Sequence, residues 1–383
     1  MSDNAVYITR CAAFLPNAPV SNDQMETLLG QVGERPSRAR KMILRSNQIR
    51  TRYYAIDPAT GEHNYSNAQL AAEAVRRLGD EEFTVDDIAC LACSTTIADQ
   101  IMPSHAVMVH GELGNPPCEV VSTSGVCVCG VSALKYAYMS VLAGLHDSAV
   151  AAASEASSYA MHAENFSEEI QQKVEQLETN PEIAFEKDFL RWMLSDGAGA
   201  VLLEKQPRAG QTSLRIEWID MFSYANEMDA CMYAGARKNA DGTLTGWQRV
   251  SAQERGADSY LAVKQDVKLL NEHVIFYTAE KPLVELQKKR GLAADQIDYF
   301  LPHYSSGYFR ERLHAGIKRV GFDIPQERWF TNLAEKGNTG SASIYIMLEE
   351  LFNSGTLKSG EKILCYVPES GRFSTAFMLL NVV

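Results

Sequence analysis

The chain has 383 residues, 46% of them hydrophobic and 22% charged, with a formal net charge of −12. That length and apolar content allow two ordinary domains or one large duplicated unit, and the acidic balance argues against nucleic acid as a partner. No window approaches the roughly 20 apolar residues of a membrane span, and the N-terminus has no basic stretch followed by an apolar run, so a soluble cytoplasmic protein with no membrane partner is expected.

Strand-like and helix-like runs alternate along the chain. Residues 5–13 read as a strand. Arg35, Arg38, Arg40, Lys41, Arg45, Arg50 and Arg52 follow with no acidic residue among them. Such a run is either a solvated helix face or a docking surface for an anionic partner or a phosphate-bearing arm. Residues 67–75 read as a helix and 88–94 as a buried strand carrying Cys90 and Cys93. Eight cysteines are too dilute for a disulfide scaffold. Histidines at zinc spacing are missing, so the pair reads as core and no metal is expected. Residues 104–114 have helical spacing, 119–122 form a short strand leading to Cys127, 131–143 an apolar helix, and 148–153 another buried strand. The charged segment 164–191 reads as an inserted surface helix.

A second series begins after the run 198–203: strands over 214–218 and 297–301, helices over 308–320 and 343–352, then strands over 362–367 and 374–380. A polar, glycine-bearing insert, 226–246, is placed to cap an entrance. The class is α/β with strands covered on both faces. Each part repeats a strand, a small-residue loop, a buried helix and a further strand. This suggests two similar halves, 1–210 and 211–383, without obvious sequence identity between them.

Three places carry chemistry. In Gly337-Asn338-Thr339-Gly340-Ser341-Ala342-Ser343, small residues let backbone and an Asn amide approach a ligand closely. Cys127 lies where a strand gives way to an apolar helix; a thiol there feels the positive end of the dipole, which lowers its pKa. A buried, inert cysteine is the competing reading, and Cys129 is a rival nucleophile. His303 ends a strand and enters a polar loop, as a base or donor or as a satisfied structural histidine.

In their order these residues resemble a ketoacyl synthase III-type enzyme of the thiolase superfamily. Ser94-Thr95-Thr96 with Met102-Pro103-Ser104 resembles the dimer-interface loop. Cys127 and its helix, running without a gap to Ala153-Ser154-Glu155, resemble the nucleophile block, which favours Cys127 over Cys129. Ser195-Asp196-Gly197-Ala198-Gly199-Ala200, Pro302-His303 and the Asn338 block complete the likeness. The resemblance implies a thiolase-like five-layered αβαβα fold, a homodimer without cofactor, and Claisen-type carbon–carbon bond formation. Cys127 would take an acyl group from a thioester. His303 and Asn338 would stabilise the enolate oxygen of a malonyl or β-ketoacyl thioester. The N–H groups of Cys127 and Gly371 would form the other oxyanion hole. Met102 would reach into the partner's acyl pocket. Met42 stands where bacterial fatty-acid members carry a Trp that stacks on coenzyme A. With the basic run, this points to acyl carrier protein thioesters as donor, docking on Arg35, Arg38, Arg40, Lys41 and Arg45, with coenzyme A thioesters as the other possibility. Residues 49–57 look like specialised members that make dialkylresorcinol or cyclohexanedione precursors, for which Glu155 could be an auxiliary base. The alternatives are an acyltransferase forming an ester or amide, and a non-catalytic partner subunit.

Overall fold

A computed structural model describes residues 5–31, 37, 40–166, 190–258 and 260–383. Arg35, Arg38 and most of the expected helix over 164–191 lie outside the described residues.

Nine strands form one mixed sheet. They are β1 (Tyr7–Phe14), β2 (Cys90–Thr95), β3 (Glu119–Ser124), β4 (Ser148–Glu155), β5 (Gly197–Glu204), β6 (Leu214–Ser223), β7 (Tyr299–Pro302), β8 (Lys362–Pro368) and β9 (Ser374–Val382). Their order is β7-β8-β9-β6-β1-β5-β4-β2-β3. On one side of the β1/β6 seam every strand precedes residue 205; on the other every strand follows residue 213. The two sides repeat a pattern. From the seam outward, β1-β5-β4-β2 and β6-β9-β8-β7 each run antiparallel, antiparallel, then parallel. The first side adds β3 in parallel beyond β2. On the second, that place holds only a parallel bridge between Phe300 and Trp329. The seam is short, pairing Tyr7 with Arg215 and Ile8 with Leu214.

The period-two alternation of the strands sends successive side chains into different cores. Cys90, Ala92, Ala149, Ala151, Val201 and Leu203 face a middle core. Leu91, Cys93, Val150, Ala152 and Leu202 face an outer one. On the second side, Ile363, Cys365, Ala376 and Met378 join the middle core, while Leu364, Tyr366 and Phe377 face a second outer core. Three cores between alternating helices and strands give the five layers. The same alternation answers the Cys90/Cys93 spacing: three residues apart on a strand, the thiols lie on opposite faces and cannot share a ligand.

The middle layer consists of α4 (Val128–Leu142) and α8 (Ser343–Phe352). The flanking helices used below are α1 (Arg40–Asn47), α2 (Asn67–Arg76), α3 (His105–Leu113), α5 (Val267–Ile275), α6 (Lys281–Arg290) and α7 (Tyr308–Arg319). The α4 and α8 backbones nearly touch. A Cβ at Gly130 would overlap the Ser341 carbonyl, and one at Gly199 would overlap the Cβ of Tyr345. The Tyr345 hydroxyl donates to the Gly130 carbonyl at 2.8 Å. Small residues at these points let two helix termini meet where the Cys127 and Asn338 loops arrive. Replacing Gly199 with Val is expected to destabilise the protein by about 1–3 kcal/mol through overpacking, read as a lower denaturation midpoint; an unchanged midpoint would show that the layers can spread without penalty.

Candidate active site

A single cavity of about 280 Å3 has Cys127, His303 and Asn338 in its wall. Cys129 is absent from that wall; it is buried, and Ser341 bonds its side chain. The two cysteines therefore have different exposure to a ligand, although both sit at the start of α4.

Cys127 is the residue just before Val128, the first of α4. Gly125 precedes it with φ of 153°, a left-handed conformation that glycine adopts freely and other residues resist. The helix end would acidify the thiol, as the sequence suggests, but burial reverses the sign. Desolvation, then the nearby Glu155 and Glu369, push the Cys127 thiol well above its ordinary value. The expected low-pKa thiolate is corrected accordingly: at rest Cys127 is a thiol. His303 follows β7, and its N–H donates to the Tyr366 carbonyl of β8 at 2.8 Å. Burial alone pushes its imidazole down to about 4, so it is neutral at physiological pH. The cavity wall thus holds a protonated thiol and a neutral imidazole, whose ring nitrogen is able to accept a proton.

Asn338 is pinned from both sides. Its N–H donates to the Met193 carbonyl at 2.9 Å and its carbonyl accepts from the Ser195 N–H at 2.9 Å. Its side-chain oxygen accepts the Gly340 N–H at 3.0 Å. The oxygen is thereby engaged, which leaves the amide NH2 as a donor for the cavity. Glycine is required twice in this loop. Gly337 and Gly340 have φ of 70° and 53°, and a Cβ on them would lie 2.8 Å from the Ser195 Cβ and 2.9 Å from a Glu155 oxygen. Among the described residues, the N–H groups of Cys127 and Gly371 have no hydrogen-bond acceptor beyond the Cys127 sulfur itself. Gly371 is held by its carbonyl, which accepts from Cys231 at 2.9 Å. The bulky Arg372 turns outward, its Nε donating to the Met228 carbonyl at 2.6 Å.

Glu155 ends β4 and also lines the cavity. It accepts from the Thr96 N–H and hydroxyl at 3.0 and 2.6 Å and from the Ser341 N–H and hydroxyl at 3.1 and 2.6 Å. Burial raises its pKa, with these donors opposing. Glu369 is a second carboxylate in the wall. Sequence reading did not single it out, because a lone carboxylate in the turn between β8 and β9 carries no spacing signal.

The rest of the wall is apolar, supplied by Met193, Met232, Leu270, Val274, Phe309 and Leu313 among others. The insert expected to cap an entrance contributes Met232, from a short strand paired with Lys264–Gln265. Helices α5 and α6, joined by a π turn over Phe276–Glu280, escaped the sequence reading. Met102 lies outside this wall and is 82% exposed, with Ile97 and Ile101 also exposed near it.

The basic run is smaller as a surface than its sequence suggests. Arg40 pairs with Asp23, donates to the Asn22 carbonyl at 3.1 Å and stacks over Trp192. Arg50 pairs with Glu335, and Arg52 is fully buried. Lys41 and Arg45 of α1 stay exposed. Away from the cavity, ligand atoms of Cys90, Glu119 and His146 come within 4.8 Å of one another, a grouping the Cys90/Cys93 spacing did not indicate. No helix among the described residues is long and apolar enough to cross a membrane.

The family model described as 3-oxoacyl-[acyl-carrier-protein] synthase III C terminal matches residues 287–379, the stretch that carries His303 and Asn338. The β-ketoacyl-[acyl-carrier-protein] synthase III of Xanthomonas oryzae is 26% identical over 361 residues, covering 93% of this chain and 92% of that protein. The Clostridium perfringens protein of the same name is 24% identical, covering 92% and 91%. The chain is thus similar to ketoacyl synthase III proteins along nearly its whole length. Solved structures share its fold. AbyA1, a tetronic acid condensing enzyme, superposes with TM-score 0.72 at 21% identity, covering 98% of this chain and 99% of that one. Xanthomonas campestris OleA, with bound lauric acid and lauroyl-CoA, gives TM-score 0.71 at 20% identity, covering 98% and 99%.

The raised thiol gives a pH signature. Reaction of Cys127 with iodoacetamide, followed on its peptide by mass spectrometry, is expected to rise about tenfold per pH unit from pH 6.5 to 9 without levelling off, since only the rare thiolate reacts. A plateau at or below pH 8 would mean that the helix dipole outweighs burial.

Proposed function

We propose that the protein is a condensing enzyme. Cys127 accepts an acyl group from a thioester, and that group is joined by Claisen-type carbon–carbon bond formation to a malonyl or β-ketoacyl thioester. The observation that carries this reading is that Cys127, His303 and Asn338 share the wall of one largely apolar cavity. Each has a part that the chemistry needs. The thiol attacks, the neutral imidazole takes its proton, and the N–H groups of Cys127 and Gly371 receive the oxyanion of the acyl group; as the donor's carbon–sulfur bond breaks, the departing thiolate takes that proton and the imidazole is neutral again. His303 and the free Asn338 NH2 are neutral donors for the enolate oxygen of the second substrate. Neutrality matters, because a charged donor buried here without a partner would cost several kcal/mol.

The acyl group lies along the wall formed by α5, α7 and Met232. The product is a precursor of a dialkylresorcinol or cyclohexanedione, as the likeness of residues 49–57 to such enzymes suggests. The enzyme acts as a homodimer. The edge strand β3 and the exposed Ile97, Ile101 and Met102 support that reading, with Met102 limiting chain length in the partner's pocket. The donor is an acyl carrier protein thioester, the substrate class in the relatives' names. A coenzyme A thioester is the other donor, as in the OleA structure with lauroyl-CoA.

Incubation with a medium-chain acyl carrier protein thioester is expected to add one acyl group to the peptide bearing Cys127, and Cys127→Ala is expected to abolish both the adduct and product. Undiminished product from Cys127→Ala would end this reading. Docking is expected on Lys41 and Arg45, since Arg40 is engaged internally. The pair Lys41→Glu and Arg45→Glu should raise KM for carrier-bound donor about tenfold while sparing a pantetheine thioester; equal loss on both would count against docking.

A further inference from the structure

Resting on the condensing reading above, we propose that Glu369 is the general base of the bond-forming step, and that the second substrate is therefore a 3-oxoacyl thioester activated by loss of an α-proton rather than a malonyl thioester activated by loss of carbon dioxide. The two substrate classes make different demands. A malonyl thioester generates its carbanion by releasing CO2 and needs no base. A 3-oxoacyl thioester keeps all its carbons and must hand a proton to a group inside the cavity.

Three carboxylates line that cavity, and two have their oxygens engaged. Glu155 accepts from Thr96 and Ser341, each through both N–H and hydroxyl. Asp99 accepts the N–H groups of Asn67 and Ala68, one on each oxygen, at 2.8 and 3.0 Å. Glu369 differs. Its one hydrogen bond among the described residues is a long one, 3.3 Å, from the Val126 N–H to Oε2. Oε1 is free.

The carboxylate is nonetheless well placed. Val126 immediately precedes Cys127, so the bond to its N–H holds Glu369 beside the nucleophile. The Glu369 N–H donates to the Ser374 carbonyl at 2.9 Å. Its side chain packs over two glycines: a Cβ on Gly371 would lie 3.1 Å from Oε1, and one on Gly125 would lie 3.9 Å from Oε2. Phe373, with φ of 57°, turns the chain sharply after this loop. Charge points the same way. Among the described residues the cavity wall contains Asp99, Glu155 and Glu369 but no Lys or Arg. A malonyl carboxylate would enter without a counter-charge and against like charge, which disfavours it.

The step balances without a further reactant. A Glu369 oxygen takes the α-proton of the 3-oxoacyl thioester, and the carbanion's electron pair forms a bond to the carbonyl carbon of the acyl group on Cys127. As the tetrahedral intermediate collapses, the bond from that carbon to Sγ breaks. The departing thiolate recovers the proton from Glu369, which resets both groups and releases an α-acyl-3-oxoacyl thioester without CO2.

The test compares native enzyme, Glu369→Gln and Glu369→Ala, each given an octanoyl thioester with either a 3-oxooctanoyl or a malonyl thioester. Native enzyme is expected to consume the 3-oxooctanoyl thioester in preference to malonyl and to release no CO2 with it. Glu369→Gln should be acylated on Cys127 to native stoichiometry yet condense the 3-oxo substrate at least about 100-fold more slowly. Added formate should restore part of the rate to Glu369→Ala, where it fits the space, and none to Glu369→Gln. Native-like condensation by Glu369→Gln, or preferential CO2 release from the malonyl thioester by native enzyme, would overturn the inference and leave the condensing reading standing. Failure of native enzyme to become acylated on Cys127 would remove that reading itself, and this inference with it.

Discussion

The buried Glu155 carboxylate is the interaction on which the site depends. It lies at the end of β4 and holds the chain after β2 through Thr96 and the loop before α8 through Ser341. An isolated carboxylate at this depth would cost several kcal/mol of desolvation. Two N–H groups and two hydroxyls offset that penalty, so the charge is affordable only while all three segments are in place. Burial still raises its pKa despite those bonds. The node therefore reports assembly: the first half supplies the acid and Thr96, the second supplies Ser341, and Asn338 is set three residues away. Gly340 exists to let the loop come this near, since a Cβ there would meet the acid at 2.9 Å.

Asp196 performs a matching task on the other flank. It accepts the Ala55 N–H at 2.7 Å and the Ser158 N–H at 2.8 Å, and burial pushes its pKa up to about 6. Beside it, Ser195 and Met193 bracket Asn338 by backbone bonds. The Asn amide is thus aimed by main chain and buried acids rather than by surface contacts. Such support suits the role proposed for Asn338, because an oxyanion donor fixed beforehand loses little on reaction.

Much of this was legible in the sequence. Eight of the nine strands and the two middle helices come from buried-strand and buried-helix patterns, and the Cys127, His303 and Asn338 blocks stood out because glycine and small residues cluster where backbones meet. What stayed hidden was set by tertiary contact. The α5–α6 pair escaped because the π turn at Phe276–Glu280 shifts the helical phase and Pro282 reads as a break, although proline is tolerated in the first turn of a helix. The basic run looked like one surface. Only the fold shows that Arg40 turns to Asp23 and Trp192, Arg50 to Glu335, and Arg52 inward. The Cys127 thiol was misjudged for a similar reason: the helix start is local and visible, whereas burial and the charges of Glu155 and Glu369 come from residues distant in sequence.

The sign of that correction bears on how the chemistry is arranged. A thiol held protonated and an imidazole held neutral by burial carry no net charge, which leaves the charge of the cavity wall to Asp99, Glu155 and Glu369. In the proposed reaction Cys127 is deprotonated only during attack, so His303 would act once the thioester is bound. For that proposed reaction burial would help twice, by strengthening the N–H groups of Cys127 and Gly371 toward an oxyanion and by keeping water from an acylated sulfur. The insert at 226–246 belongs to the same arrangement. Cys231 and Met232 donate to the carbonyls of Gly371 and Ser370, and the Met228 carbonyl draws Arg372 away. What reads in sequence as a cap on an entrance is also the brace that holds the Ser370–Gly371 backbone, leaving the Gly371 N–H unspent.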